Sequence, residues 1–170
     1  NIVIDDTPSI TIGDLRSKCR KFKLEKDIQL VVIDYLQLMR GNGNYPSREQ
    51  EIAEISRTLK GIARELNVPV IALSQLNRAA ETREDKKPIM ADLRESGSIE
   101  QDADIVLMLY RPNYYSNDEE QDDDDEAKLS PNKAEIIVAK NRHGPTDTVE
   151  MFWDPDHTLF ISVEKIRNDT

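Results

Sequence analysis

A chain of 170 residues with a formal net charge of −10 suits one domain with a sizeable core. The negative balance looks hostile to nucleic acid, yet "DEEQDDDDE" (118–126) carries 8 of the 33 acidic residues and no basic one; without it 25 acidic residues face 23 basic, a net of −2. A single cysteine excludes an internal disulfide framework and fits a reducing compartment, and no run is apolar enough for a membrane span or a signal peptide.

Ile2–Ile4 reads as a short strand, closed by "DDTPS". The chain opens on Asn rather than Met and is already strand-like there, so it reads as a piece of something longer. Ser9 or Thr11 is placed to cap a helix running to about Lys26, with basic residues on its open face. Cys19 falls at helical spacing with Ile12, Leu15 and Phe22 and is expected in a core. "LVVID" (30–34) is the second strand, apolar on both faces as strands of parallel sheets are. A lone carboxylate is costly to bury, so Asp34 needs a cation or donors, or must stand where the strand meets solvent. Two readings are open: the acid that holds Mg²⁺ at a strand's carboxyl end in nucleotide hydrolases, or an Asp that caps the next turn.

Glycines and Pro46 make "RGNGNYPS" (40–47) a loop. Ser47 and Gln50 then have the spacing of a capping box, and Ile52, Ile55, Leu59, Ile62 and Leu66 form one apolar helical stripe. A third strand, Val70–Leu73, ends in Ser74, Gln75, Asn77 and Arg78. If it lies beside the second, Asp34 and Gln75 share one rim. A Gln there can hydrogen-bond a terminal phosphate or orient water, although an ordinary strand exit has the same pattern. Residues 75–90 are a polar loop.

"DLRESGSIEQDAD" (92–104) is expected to be partly helical, broken by Gly97. Arg94 can contact phosphate, or pair with Glu95 or Asp92, and Gly97 lets backbone N–H groups approach an anion; by itself the stretch is most simply a solvated turn. Ile105–Tyr110 is a fourth strand, followed at 117–133 by an acidic, self-repelling insert. In a fifth strand, Ala134–Lys140, the cations Lys140 and Arg142 lie two apart and face one way, as an anion clamp or as edge protection. His143 has no second His or Cys nearby for a metal site, and His157 lies in a turn. Val149–Trp153 and Leu159–Val163, joined by "DPDH", read as an antiparallel hairpin. Strands alternating with helices argue for an α/β fold: a mainly parallel sheet flanked by helices and finished by that hairpin.

"VVIDYLQLM", "ALSQLNR", "DLRESGSIEQDADIVLMLYR" and "KNRHGP" follow one another here, with "IDDTP" and "REQEIAEISRTLKGIARELNVPV". In this order they resemble the bacterial replicative DNA helicases of the DnaB family, over nearly the whole chain except the acidic insert. The resemblance implies that residues 1–170 are the C-terminal portion of a RecA-like ATPase domain whose amino-terminal part is missing. It implies that Asp34 is the Walker B acid that helps hold Mg²⁺ on ATP, and that Gln75 senses the γ-phosphate. Arg94, Glu95 and Gly97 match a loop that grips the backbone of single-stranded DNA. Lys140 and Arg142 match the piston and arginine finger that reach a neighbouring subunit's ATP.

The resemblance further implies a homo-hexamer at the replication fork in the cytoplasm, which couples ATP hydrolysis to translocation and unwinding. Primase and a helicase loader would meet it through regions outside this chain. One departure stands out. No "GxxxxGK[ST]" phosphate loop is present, so the chain alone is expected to be inactive. Two other readings stay open: a RecA-like recombinase or other hexameric ATPase, and a non-catalytic module that binds single-stranded nucleic acid or a partner.

Overall fold

A computed structural model of the chain describes residues 2–112 and 132–163. The acidic insert expected at 117–133 lies outside them except for its last two residues. The chain forms two compact units, the first taking residues up to 77 plus 93–103, the second 78–92 plus 104 onward.

The first unit is built around a parallel pair of short strands joined through a helix. Helix α1, Ile12–Lys26, starts at Thr11, whose side chain accepts from the Asp14 N–H at 3.1 Å. Strand β1, Val31–Ile33, leads into a 3-10 turn at Leu36–Leu38 and then a loop. Helix α2, Arg48–Leu66, begins at Ser47, whose hydroxyl accepts from the Gln50 N–H at 3.3 Å. Asn67, in the left-handed conformation, ends α2, and its N–H reaches back to the Ala63 and Arg64 carbonyls. Strand β2, Val70–Ala72, returns parallel to β1 with Ile33 opposite Ala72. The apolar stripe of α2 (Ile52, Ile55, Leu59 and Ile62) is buried together with Ile12 and Cys19 of α1, Ile33 of β1, and Leu36 and Met39. Each such side chain contributes roughly 1.5–3 kcal/mol when fully buried. Helix α3, Gly97–Asp102, is tied to α2 by the Ser56 hydroxyl, 2.9 Å from the Asp102 carboxylate.

The second unit is an antiparallel meander ordered β3-β4-β5-β6: Ile105–Tyr110, Lys133–Asn141, Thr148–Asp154 and Leu159–Ser162. A bulge between Val106 and Leu107 leaves Ala139 as the extra residue of β4, since Val106 faces Lys140 and Leu107 faces Val138. Trp153 and Phe160 meet edge to face across the β5–β6 hairpin at 4.8 Å.

Four expectations change. Ile2–Ile4 is not a strand: a strand needs a ladder, and among the described residues none pairs with it, leaving Ile2 at 90% and Ile4 at 86% exposure. β1 is not buried on both faces either, because Ile33 turns to the helices while Val32 stands 60% exposed, as does Ile71 of β2 at 51%. Gly97 does not break a helix but begins one. Among the described residues parallel strand pairing is confined to β1–β2, and β3 to β6 pair antiparallel where a mainly parallel sheet was expected.

Candidate functional site

The parallel register puts the carboxyl ends of β1 and β2 side by side. Asp34 follows β1 and is exposed; among the described residues no side chain pairs with its carboxylate. The peptide linking it to Tyr35 is cis. Two main-chain bonds extend the ladder past the strands: the Leu73 N–H donates to the Ile33 carbonyl and the Leu36 N–H to the Leu73 carbonyl, each at 2.9 Å. Gln75 therefore leaves from the same rim as Asp34. A concavity of about 370 Å³ is lined there by Tyr35, Leu73, Ser74 and Gln75. It offers an amide, a hydroxyl and an aromatic ring, with a free carboxylate next in sequence to that ring, which is a polar set able to meet phosphate oxygens and a hydrated cation.

Gln37, whose side chain bonds to Ser74 and Gln75, was not foreseen from the sequence. Only its place three residues after Asp34 could have signalled it.

Arg94 and Glu95 fall in the 3-10 segment Met90–Ser96, but their side chains lie outside the described residues. Gly97 is exposed, and a Cβ built on it would meet nothing within 4 Å. Its φ is not positive, so its use lies in open space rather than in a left-handed backbone.

Lys140 sits on β4 opposite Val106, one residue past the bulge at Ala139. Arg142 follows β4: its N–H donates to the Asp104 carbonyl at 2.8 Å, and its guanidinium lies 3.3 Å from the Asp104 carboxylate. Both partners are more than 40% exposed, so the pair is worth at most about 1 kcal/mol. Asp104 was not a partner foreseen from the sequence.

Among the described residues, no group of three or more His, Cys, Asp or Glu is placed to hold a metal ion by itself, and no helix is long and apolar enough to cross a membrane.

A parallel strand pair carrying an acid and an amide at its exits, joined through a helix, places the chain in the RecA-like α/β class, the fold of ATPase domains. The family model for the DnaB-like helicase C terminal domain matches residues 1–162. The chain belongs to that family. It is 53% identical over 167 residues to the replicative DNA helicase DnaB of Geobacillus stearothermophilus, covering 96% of this chain and 34% of that protein. It is 50% identical over 169 residues to the replicative DNA helicase DnaC of Bacillus subtilis (strain 168), covering 99% and 35%. Among solved structures it is similar to one described as a DnaB-like replicative helicase and its interactions with primase, with a TM-score of 0.85, 43% identity, and coverage of 96% of this chain and 38% of that one. A second solved structure, described as an ATPase domain, gives a TM-score of 0.80 at 43% identity, covering 91% and 52%. The chain thus spans about a third of the length of the curated relatives it matches.

Proposed function

We propose that this chain is the C-terminal portion of the motor domain of a ring-shaped replicative DNA helicase that couples ATP hydrolysis to movement along single-stranded DNA. The observation that carries the proposal is the shared rim, where Asp34 and Gln75 leave adjacent parallel strands beside an open concavity. Mg²⁺ bound with ATP would neutralise charge on the transferred phosphoryl group. Asp34 would hold that ion directly or through water, in keeping with the habit of Mg²⁺ to take one or two carboxylates and complete its shell with phosphate and water. Gln75 would hydrogen-bond the terminal phosphate and report its presence to the loop that follows. Cradling the remaining phosphates needs a loop that this sequence does not contain.

Lys140 and Arg142 would act on the ATP of a neighbouring subunit in a homo-hexamer, and fingers of this kind are worth roughly 10³–10⁵ in rate. Arg94, Glu95 and the backbone at Gly97 would contact the DNA backbone, giving sequence-tolerant, salt-sensitive binding. Primase, named with one of the similar structures, and a helicase loader would meet the full-length protein through regions outside this chain. Its place of work would be the replication fork in the cytoplasm.

The test is Asp34→Asn in the full-length protein. DNA-stimulated ATP hydrolysis should fall by on the order of 10²–10³-fold with the thermal unfolding midpoint unchanged. Turnover at the wild-type rate would overturn the assignment.

A further inference from the structure

After Leu36, β1 has turned into the 3-10 segment and offers no main chain to pair with Gln75. A side chain takes over. Gln37 Oε1 accepts from the Gln75 N–H at 3.2 Å, and Gln37 Nε2 donates to the Gln75 carbonyl at 3.3 Å and to the Ser74 hydroxyl at 3.0 Å. A primary amide carries an acceptor and two donors in one plane, the complement of a peptide's own N–H and C=O. Gln37 thus adds one more rung to the parallel ladder after the backbone of β1 has left it.

The main chain of Gln37 is braced from its other side. Arg48, in the first turn of α2, donates through Nη2 to the carbonyls of Gln37 at 2.8 Å and Met39 at 3.0 Å. Arg48 also pairs with Glu51, whose Oε1 accepts from the Gly41 N–H at 2.9 Å. The guanidinium fork needs both carbonyls at fixed positions, so the turn that carries Gln37 is held by α2 rather than left to fray.

We propose that Gln37 is a positioning residue for Gln75, and that its amide fixes the backbone from which the phosphate-sensing side chain projects. The proposal rests on the reading of Gln75 given above. Gln75 is exposed and lies beyond the last main-chain rung, so among the described residues Gln37 alone accepts from its N–H, and without Gln37 its carbonyl keeps only the long 3.5 Å bond from the Ser74 hydroxyl. Asp34 and Gln37 lie three residues apart on one strand exit. The acid and the sensor are thereby fixed to the same piece of backbone.

The experiment compares Gln37→Leu, Gln75→Ala and the double variant in the full-length protein. It follows DNA-stimulated ATP turnover, binding of a fluorescent ATP analogue with Mg²⁺, and hydrogen exchange at individual amides. Gln37→Leu keeps the size of the side chain and removes its hydrogen bonds. It should lower kcat on the order of 10–100-fold, with nucleotide affinity within about twofold of wild type. Exchange at the Gln75 amide should quicken while the Leu73 amide, held by Ile33, stays protected. The double variant should be no slower than Gln75→Ala alone, because two residues that act as one unit do not add.

Wild-type kcat in Gln37→Leu beside an inactive Gln75→Ala would overturn the positioning role while leaving the sensor in place. Losses that multiply in the double variant would overturn it as well. Full turnover in Gln75→Ala would instead remove the sensor reading, and the positioning role with it. If Gln37→Leu fails to fold, Gln37→Glu serves: it retains an acceptor for the Gln75 N–H, sets a carboxylate against the Gln75 carbonyl, and should show the same loss of kcat. Wild-type kcat in that variant would overturn the proposal.

Discussion

Asp92, at 3% exposure, shows how a buried charge is accommodated. Arg83 donates to it with both Nη atoms, at 2.9 and 2.5 Å, and the Ile89 N–H adds a third bond at 2.7 Å. Arg83 Nη2 also donates to the Lys87 carbonyl at 2.7 Å, so the pair closes the loop 83–92 upon itself. The Arg83 guanidinium, helped by the Ile89 N–H, holds the Asp92 carboxyl below the usual carboxylate range against the cost of its burial. A folded pKa below the unfolded one stabilises at pH values above the unfolded pKa, and that contribution is lost as pH falls through the folded value. Asp92→Asn should therefore cost roughly 1–3 kcal/mol at neutral pH and flatten the acid limb of stability against pH. Urea unfolding midpoints measured across the acid range check this, and an acid limb as steep as that of wild type would refute it. This pair was not legible in the sequence. The alternatives for Asp92 lay among its immediate neighbours, whereas its partner stands nine residues upstream in a stretch with no period to follow. Asp104 and Arg142 met for the same kind of reason, as ends of paired strands separated by 37 intervening residues. Cys19 is the opposite case. Spacing alone placed it in the core, where it is buried and its thiol is pushed up by desolvation, as suits an inert packing group.

At the scale of elements, what was legible is what is local. Thr11 and Ser47 cap their helices because each side chain reaches an N–H three residues on, and three and four residue spacing buries one stripe of α2. The hairpin β5–β6 follows from alternation and a turn in the same way. Pairing between distant strands is a different matter. Unbroken β-branched apolar runs mark Ile2–Ile4 and Val31–Ile33 alike, and among the described residues only the ladder distinguishes them. The bulge at Ala139, which sets the register of Lys140, likewise has no sequence signal, because no glycine or other turn residue marks it. Within α2 one position runs against its surroundings. Gly61 is exposed in the middle of the helix, and a Cβ there would meet nothing within 4 Å. Gly61→Ala removes freedom from the unfolded chain without a clash, and should raise unfolding free energy by about 0.5–1 kcal/mol. Equilibrium denaturation decides it; a fall in stability would mean that the open space at this position is filled in the protein as it works.

At the scale of the whole molecule, the shared rim is complete in one chain, whereas the roles proposed for Lys140 and Arg142 need a second. A trans role has a kinetic signature. Rings assembled from Asp34→Asn and Arg142→Ala subunits of the full-length protein should turn over more ATP than rings of either variant alone, since the intact Asp34 of one subunit then meets the intact Arg142 of its neighbour. Turnover no higher than that of the single-variant rings would place Arg142 outside a trans role.

One further consequence comes from β3. Val106 and Met108 are buried, but Ile105, Leu107 and Leu109 face outward at 55%, 58% and 58% exposure. Apolar area that already meets water in the folded state adds nothing to the heat capacity gained on unfolding, to which newly exposed apolar area contributes about 0.45 cal/K/mol per Å². A surface laid over these rungs adds that increment and bends the curve of stability against temperature more sharply. The curvature of that dome, and with it the spread between cold and heat unfolding, would then report whether this face of β3 is covered.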